Sequence, residues 1–131
     1  MNAKVSLALG VLLIGMSTGL AFAQEGIKRT ELKRVDLTGV DGKEITQAIL
    51  VVQPGVTVPR HIHYGDEIAY VLEGAMVQMG DAEPTELKTG ASLHFPREVP
   101  HGGAKVVGDT PLRLLTVHIV DKGQPLSQPA P

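Results

Sequence analysis

Apolar and polar positions alternate in short bursts along this chain, with no sustained helical period. The segments TELKRVDL, EITQAILVVQ, EIAYVLEG, AMVQM, TELKTG, ASLHF, GAKVV and LRLLTVHIV are rich in β-branched and aliphatic residues, and each has the length of a strand. Between them stand Thr38 to Gly42, Pro54-Gly55, Gly74, Gly80 to Pro84, Gly90, Pro96 to Pro100 and Gly108 to Pro111, which carry the glycines and prolines that turn a chain. Many short strands so punctuated predict an all-β sandwich or barrel with helix as a minor component. In two segments both parities are apolar. Leu112, Leu114 and Val120 alternate with Leu115, Val117 and Ile119, and Ala69 and Val71 alternate with Ile68, Tyr70 and Leu72. Strands of this kind are covered on both faces, either by a second copy of the chain in a homodimer or by a terminal strand lying over the outer wall.

The two ends break the pattern. Residues 1–23 combine Lys4 in a short positive start, the apolar run VSLALGVLLIG, and the small residues Ala21 and Ala23 of AFA, which predicts a signal peptide cleaved after Ala23. Gly10, Gly15, Ser17, Thr18 and Gly19 weaken the same run as a membrane span, so no stable membrane anchoring is expected after cleavage. With no Arg-Arg pair and no cysteine to carry a lipid, the expected route is general secretion to the periplasm or outside the cell. At the other end KGQPLSQPAP, residues 122–131, has three prolines and no apolar pattern and is expected to be an extended, solvated tail. Residues 24–121 are left as one barrel domain, the most that a chain of 131 residues accommodates.

Without Lys4 the chain carries 11 basic against 14 acidic groups, a formal charge of −3, which argues against a nucleic-acid partner and leaves a small molecule as the expected one. An exported chain this small with no cysteine has no disulfide staples, so its stability must come from the core, from oligomerisation or from a metal.

The stretch PRHIHYGDEIAYVLEG, residues 59–74, bears on the last of these. Side chains alternate along a strand, so His61 and His63 point the same way with α-carbons about 6.5 Å apart. Tyr64-Gly65-Asp66 reads as a turn, which brings Glu67 back at the start of the next strand on their side and points Asp66 away. Downstream, FPREVPHGGA presents His101 after two prolines that fix the backbone and before two glycines that let it pass close to another group. Three imidazoles and one carboxylate suit a divalent transition ion: Cu, Zn, Mn, Fe or Ni.

Residues Gly55, His61, His63, Glu67 and Gly74 follow the spacing G-x5-H-x-H-x3-E-x6-G, and after a 15-residue spacer Gly90, Pro96 and His101 follow G-x5-P-x-G-x2-H-x3-N. The pair resembles the two signatures of the cupin superfamily, with Glu98 in place of the second glycine and Lys105 in place of the asparagine. The resemblance implies a jelly-roll β-barrel, a metal in its mouth, and His61, His63, Glu67 and His101 as ligands. It also implies metal-dependent chemistry, an oxidation of the dioxygenase type or an isomerase-type proton transfer, with Glu67 as the catalytic acid–base group; the alternative is a non-catalytic metal- or ligand-binding protein. A three-histidine, one-glutamate set leaves positions open for substrate.

Polar lumen groups are few in this reading: Gln53, Gln78, Thr116 and His118 are the candidates. His94 and His118 read either as partly exposed or satisfied strand histidines, the favoured reading, or as barrel-lining groups that hydrogen-bond a substrate or a metal ligand. Tyr64 and Arg60 carry the parity that points away from the site, and Met76 and Met79 fall on opposite faces.

Overall fold

A computed structural model describes residues 24–131, and the expected signal peptide, residues 1–23, lies outside them. Ten strands succeed one another: β1 (Ile27–Asp36), β2 (Lys43–Val52), β3 (His61–Ile62), β4 (Gly65–Glu73), β5 (Ala75–Met79), β6 (Thr85–Leu87), β7 (Ser92–Phe95), β8 (Ala104–Val107), β9 (Leu112–Asp121) and β10 (Gln128–Pro129). Each of the eight predicted segments contains a strand, and the described residues contain no helix.

A five-stranded antiparallel sheet in the order β1-β2-β9-β4-β7 faces a three-stranded one in the order β6-β5-β8, with the pair β10-β3 at the mouth. Val52 of β2, Val71 of β4, Ala75 of β5, Val106 of β8, and Leu112 and Leu114 of β9 form one buried cluster, so the core is shared by both large sheets. Burying a side chain such as Val52 or Val71 stabilises the fold by about 1.5–3 kcal/mol, and six such positions concentrated at one end close the barrel there.

Directly opposed residues of an antiparallel pair share a face, so the register identifies what lines the lumen. On β9 the inward row runs Leu112, Leu114, Thr116, His118; on β4, from the same end, Val71, Ala69, Glu67; on β2, Val52, Leu50, Ala48, Thr46. Each row changes from apolar to polar toward the same rim. The apolar end makes the core and the polar end is the site.

The outward face of the large sheet is apolar as well. Ile68 sits opposite Val117, Tyr70 opposite Leu115, and Ile119 opposite Ile45. Ile68 and Tyr70 are 51% and 46% exposed, so among the described residues no terminal strand lies over them.

Two expectations need correction. Gly65 is not part of a turn: β4 begins with it, and only Tyr64 bends the chain. A Cβ at Gly65 would lie 1.9 Å from the Ile119 carbonyl oxygen, so the residue is glycine because β9 runs against it. The tail is extended but not free. Gln128 pairs with Ile62 and Pro129 with His61, and the Ala130 N–H donates to the Arg60 carbonyl at 3.1 Å. Its polar backbone finds partners on the otherwise unpaired edge of β3, which solvation alone would not provide.

Candidate metal centre

Backbone pairing joins the two histidine segments. The N–H of His61 donates to the His101 carbonyl and the N–H of His101 to the His61 carbonyl, both at 2.9 Å, forming an antiparallel bridge that puts the two side chains on one face. The N–H of Gly103 donates to the Val58 carbonyl at 2.7 Å and extends the contact. Gly102, at φ +85°, makes this approach sterically feasible, because a Cβ there would stand 2.4 Å from the Pro59 carbonyl oxygen. Glu98 also has a positive φ, 58°, and its N–H donates to the His63 carbonyl at 3.0 Å. The turn that the resemblance associates with glycine is thus kept with a glutamate in it.

The structure brings His61, His63, Glu67 and His101 together, with one potential ligand atom from each within 4.8 Å of all the others. Each imidazole has its Nδ1 on a main-chain carbonyl: His61 on Pro59 at 2.6 Å, His101 on Val99 at 2.9 Å and His63 on Leu126 at 2.6 Å. A carbonyl oxygen only accepts, so all three Nδ1 atoms carry hydrogen, and in a neutral ring Nε2 then holds a lone pair. The Nε2 atoms of His63 and His101 lie 2.8 and 3.2 Å from the same Oε2 of Glu67. Lone pairs and a carboxylate oxygen converge with no neutral donor between them. Extra protons or a cation must hold the group together, and a divalent ion with nitrogen and oxygen ligands fits the set.

Electrostatics agree with this donor set. With the extra protons of the metal-free protein on the rings, burial acts to raise the Glu67 carboxyl, but hydrogen bonds from His101, His118 and His63 prevail and hold it far below the usual carboxylate range. Burial lowers His61. At His101 burial opposes the charged form, yet the hydrogen bond to Glu67 and the Val99 carbonyl outweigh it and raise the ring.

Other expected positions separate. His118 is 3% exposed and places Nε2 3.5 Å from Glu67 Oε2, while its Nδ1 has no partner among the described residues. It is part of the site and not an ordinary strand histidine. Burial, aided by the charges of His63 and Arg29, holds it below the usual imidazole value against the pull of Glu67. His94 faces outward beside Ile68 and lies 3.4 Å from Asp66. Thr116 is buried on the lumen side, whereas Gln53 is exposed and Gln78 caps a turn by donating to the Ala82 carbonyl at 3.0 Å. Met76 and Met79 are both exposed.

The sequence reading missed Phe95, Thr46 and Arg29. Phe95 lies opposite Glu67 and stacks on His101 with ring centroids 4.2 Å apart, walling the site on one side. Thr46 is opposite His118 and fully buried. Arg29 is half-buried on the inward face of β1 and reaches Thr46 Oγ1 at 3.5 Å. Arg34 engages both nearby carboxylates, Glu31 at 2.8 Å and Glu44, which leaves Arg29 only a 3.4 Å contact with Glu31. The polar wall beside the cluster therefore ends in the Arg29 guanidinium, whose one ion pair among the described residues is the contact with Glu31. The available signal was register: Thr46 and Glu44 share one parity of β2 while the apolar Ile45 and Ile49 take the other.

Comparison with known proteins bears on both fold and site. A family profile described as the cupin domain matches residues 48–118, more than half of the chain. An uncharacterized protein of Methanocaldococcus jannaschii is 33% identical over 75 residues, covering 56% of this chain and 59% of that protein. Protein SchB of Streptomyces halstedii is 37% identical over 68 residues, covering 51% and 49%. The chain thus spans about half to three fifths of the length of these curated relatives. Among solved structures, the DMSP lyase DddQ from Ruegeria pomeroyi superposes with a TM-score of 0.59 at 19% identity, covering 83% of this chain and 54% of that one. At that identity the likeness concerns the fold.

Proposed function

The chain belongs to the cupin family, and from that premise we propose that it is an exported metal-dependent enzyme. Its substrate in this reading is a small, oxygen-rich organic molecule, and its reaction a dioxygenase-type oxidation or an isomerase-type proton transfer beside a carbonyl. The observation that carries the proposal is the donor set: three imidazoles with Nδ1 on main-chain carbonyls and a buried carboxylate, converging without a neutral donor. A divalent transition ion held by His61, His63, Glu67 and His101 would supply Lewis-acid polarisation or one-electron oxidation chemistry.

The chain's own residues supply the rest. In the proton-transfer reaction Glu67, a ligand in the resting state, would detach from the ion and from its partners His63 and His101 and accept a proton from a carbon next to a substrate carbonyl. The C–H electron pair moves toward the carbonyl, and return of the proton to a neighbouring atom completes the shift. His118, at 3.5 Å, steadies the carboxylate, and Phe95 keeps one side dry. Arg29 favours a substrate bearing a carboxylate or another anionic group. That a DMSP lyase shares the fold supports an enzymatic reading over a purely structural one.

The export part rests on the pattern of residues 1–23, and N-terminal sequencing of protein from the periplasm, giving Gln24 first, would support it. The test of function is elemental analysis of protein recovered from its native compartment, followed by oxygen-uptake and proton-exchange screens with acidic substrates first. A stoichiometric transition ion with turnover supports the enzyme. Tight metal without turnover across phenolics, sugars and keto acids would favour the non-catalytic binding protein. A protein that takes up no metal would sink the enzyme and the metal-binding protein and leave small-ligand binding.

A further inference from the structure

The C-terminal segment touches the site through a contact of a different kind from the other two. His61 and His101 each place Nδ1 on a carbonyl two residues earlier in their own segment, so those rings are oriented locally. The Nδ1 of His63 is held by Leu126, 63 residues away, through a 2.6 Å hydrogen bond. His63 is 4% exposed, and among the described residues its ring has only that carbonyl and Glu67 as hydrogen-bond partners. Without Leu126 nothing in the structure fixes the proton on Nδ1, and a proton moved to Nε2 would occupy the lone pair that faces the cluster.

The segment is built to stay in place. Pro125, Pro129 and Pro131 fall on one parity, so the N–H groups of Leu126, Gln128 and Ala130 fall on the other. Those three residues are half-buried, while residues 125, 127, 129 and 131 are exposed. Alternate rungs of an antiparallel ladder are hydrogen-bonded. The Ala130 N–H bonds the Arg60 carbonyl, which puts Pro129 opposite His61 on a rung where no N–H is required. The prolines, which made the segment look like a solvated tail, are compatible with an edge strand in this one register.

We propose that residues 124–131 act as a clamp on the metal centre: β10 pairs with the histidine-bearing β3 and sets the tautomer of His63 through Leu126, and thereby sets the affinity of the site for its ion. The inference rests on the metal-site reading above. Leu126 is a positioning residue acting through its carbonyl, so its side chain is not what matters.

The test compares the full-length protein with Gln128→Pro/Ala130→Pro, which removes two N–H donors of the clamp, and with a chain ending at Gln124. Ser127→Ala, at an exposed position of the same segment, is the control. Zinc affinity is measured by calorimetry against a competing chelator, and the histidine ring nitrogens of the metal-free proteins are followed by 15N NMR. The double proline variant should bind zinc roughly 10–100-fold more weakly. His63 should also lose the fixed Nδ1–H that the parent keeps, with the Nδ1–H of His61 and His101 unchanged. Zinc affinity within twofold of the parent, with unaltered His63 nitrogens, would overturn the clamp. Urea unfolding of each metal-free variant shows whether it folds; if the shortened chain does not, the double proline variant decides. A parent protein with no zinc affinity would overturn the metal reading instead, and the His63 nitrogens would then decide whether the clamp holds the ring.

Discussion

Gly102→Ala, set against its neighbour Gly103→Ala, separates the cost of backbone conformation from the cost of crowding the site. Both glycines have positive φ, +85° and +84°, so an alanine at either pays the left-handed penalty of about 1–2 kcal/mol. Both substitutions also narrow the unfolded ensemble to the same extent, and that term cancels between them. The surroundings differ. A Cβ at Gly103 meets only the Cε of Met79 at 3.8 Å, an ordinary contact on a flexible side chain. At Gly102 it would stand 2.4 Å from the Pro59 carbonyl oxygen and 3.2 Å from His61 Nδ1. The backbone around Pro59 must then withdraw by roughly 1 Å, and overpacking of this kind costs about 1–3 kcal/mol more. Urea denaturation of the metal-free proteins should therefore show Gly102→Ala less stable than Gly103→Ala by that difference. Because the displaced oxygen is the one that accepts from His61, zinc affinity should fall by about tenfold or more in Gly102→Ala and little in Gly103→Ala. Equal losses of stability and of affinity in the two variants would refute the argument that the loop is packed against the ligand's carbonyl partner.

Replacing His61 or His101 by alanine should lower metal content sharply in elemental analysis, whereas His94→Ala, on the outer face, should retain it; full occupancy in both site variants would remove the cluster as the metal site. In the metal-free protein the Glu67 carboxyl is depressed, so its contribution to stability is complete above the unfolded value of about 4.3 and is lost as pH falls below it. Urea midpoints across acid pH should therefore fall less steeply for Glu67→Gln than for the parent, and identical acid limbs would contradict this. His101 is raised, so its share is present below about 6.5 and is lost as pH rises through the folded value; His101→Ala should flatten that limb of the same curve. A second copy of the chain is the proposed cover for the apolar outer face, and Ile68→Glu should convert a dimer to monomer in sedimentation; a parent that sediments as a monomer would end that proposal.

The strands are legible as short β-rich segments bounded by glycines and prolines, although β4 and β9 are apolar on both parities in sequence and alternate only in their burial; parity sets His61 and His63 on one side. His101 was a chemical guess from its prolines and glycines, and the reciprocal hydrogen bonds that seat it opposite His61 join residues 40 positions apart, which no local pattern encodes. Thr116 and His118 line the lumen as expected while Gln53 and Gln78 do not, and Thr46 escapes notice for a physical reason. Near the site the usual rule inverts: Glu44 and Thr46 point in while Ile45 and Ile49 point out, because the site end of the barrel is polar and its outer wall is not. A reader who assigns apolar residues to the inside places β2 backwards at the end that matters. Gly65 misled in a similar way, since a glycine demanded by close packing of two strands looks in sequence like one demanded by a turn.

The partners of the three imidazoles explain why departures from the family pattern leave the cluster intact. Pro59, Val99 and Leu126 all act through main-chain carbonyls, so the orientation of each ring depends on where the backbone runs and not on which side chains surround it. Lys105 in place of asparagine still pairs with Gln78 in the β5–β8 ladder. Glu98 in place of glycine keeps the left-handed turn at a cost of about 1–2 kcal/mol, and its N–H still reaches the His63 carbonyl. Among the four ligands Glu67 alone is oriented by side chains, its carboxylate being set by His118 as well as by His63 and His101. Glu98 and Lys105 can therefore depart from the family pattern without disturbing the metal centre, whereas exchanging His118, which has no place in the recognised motifs, would change the charge and hydrogen bonding of the carboxylate.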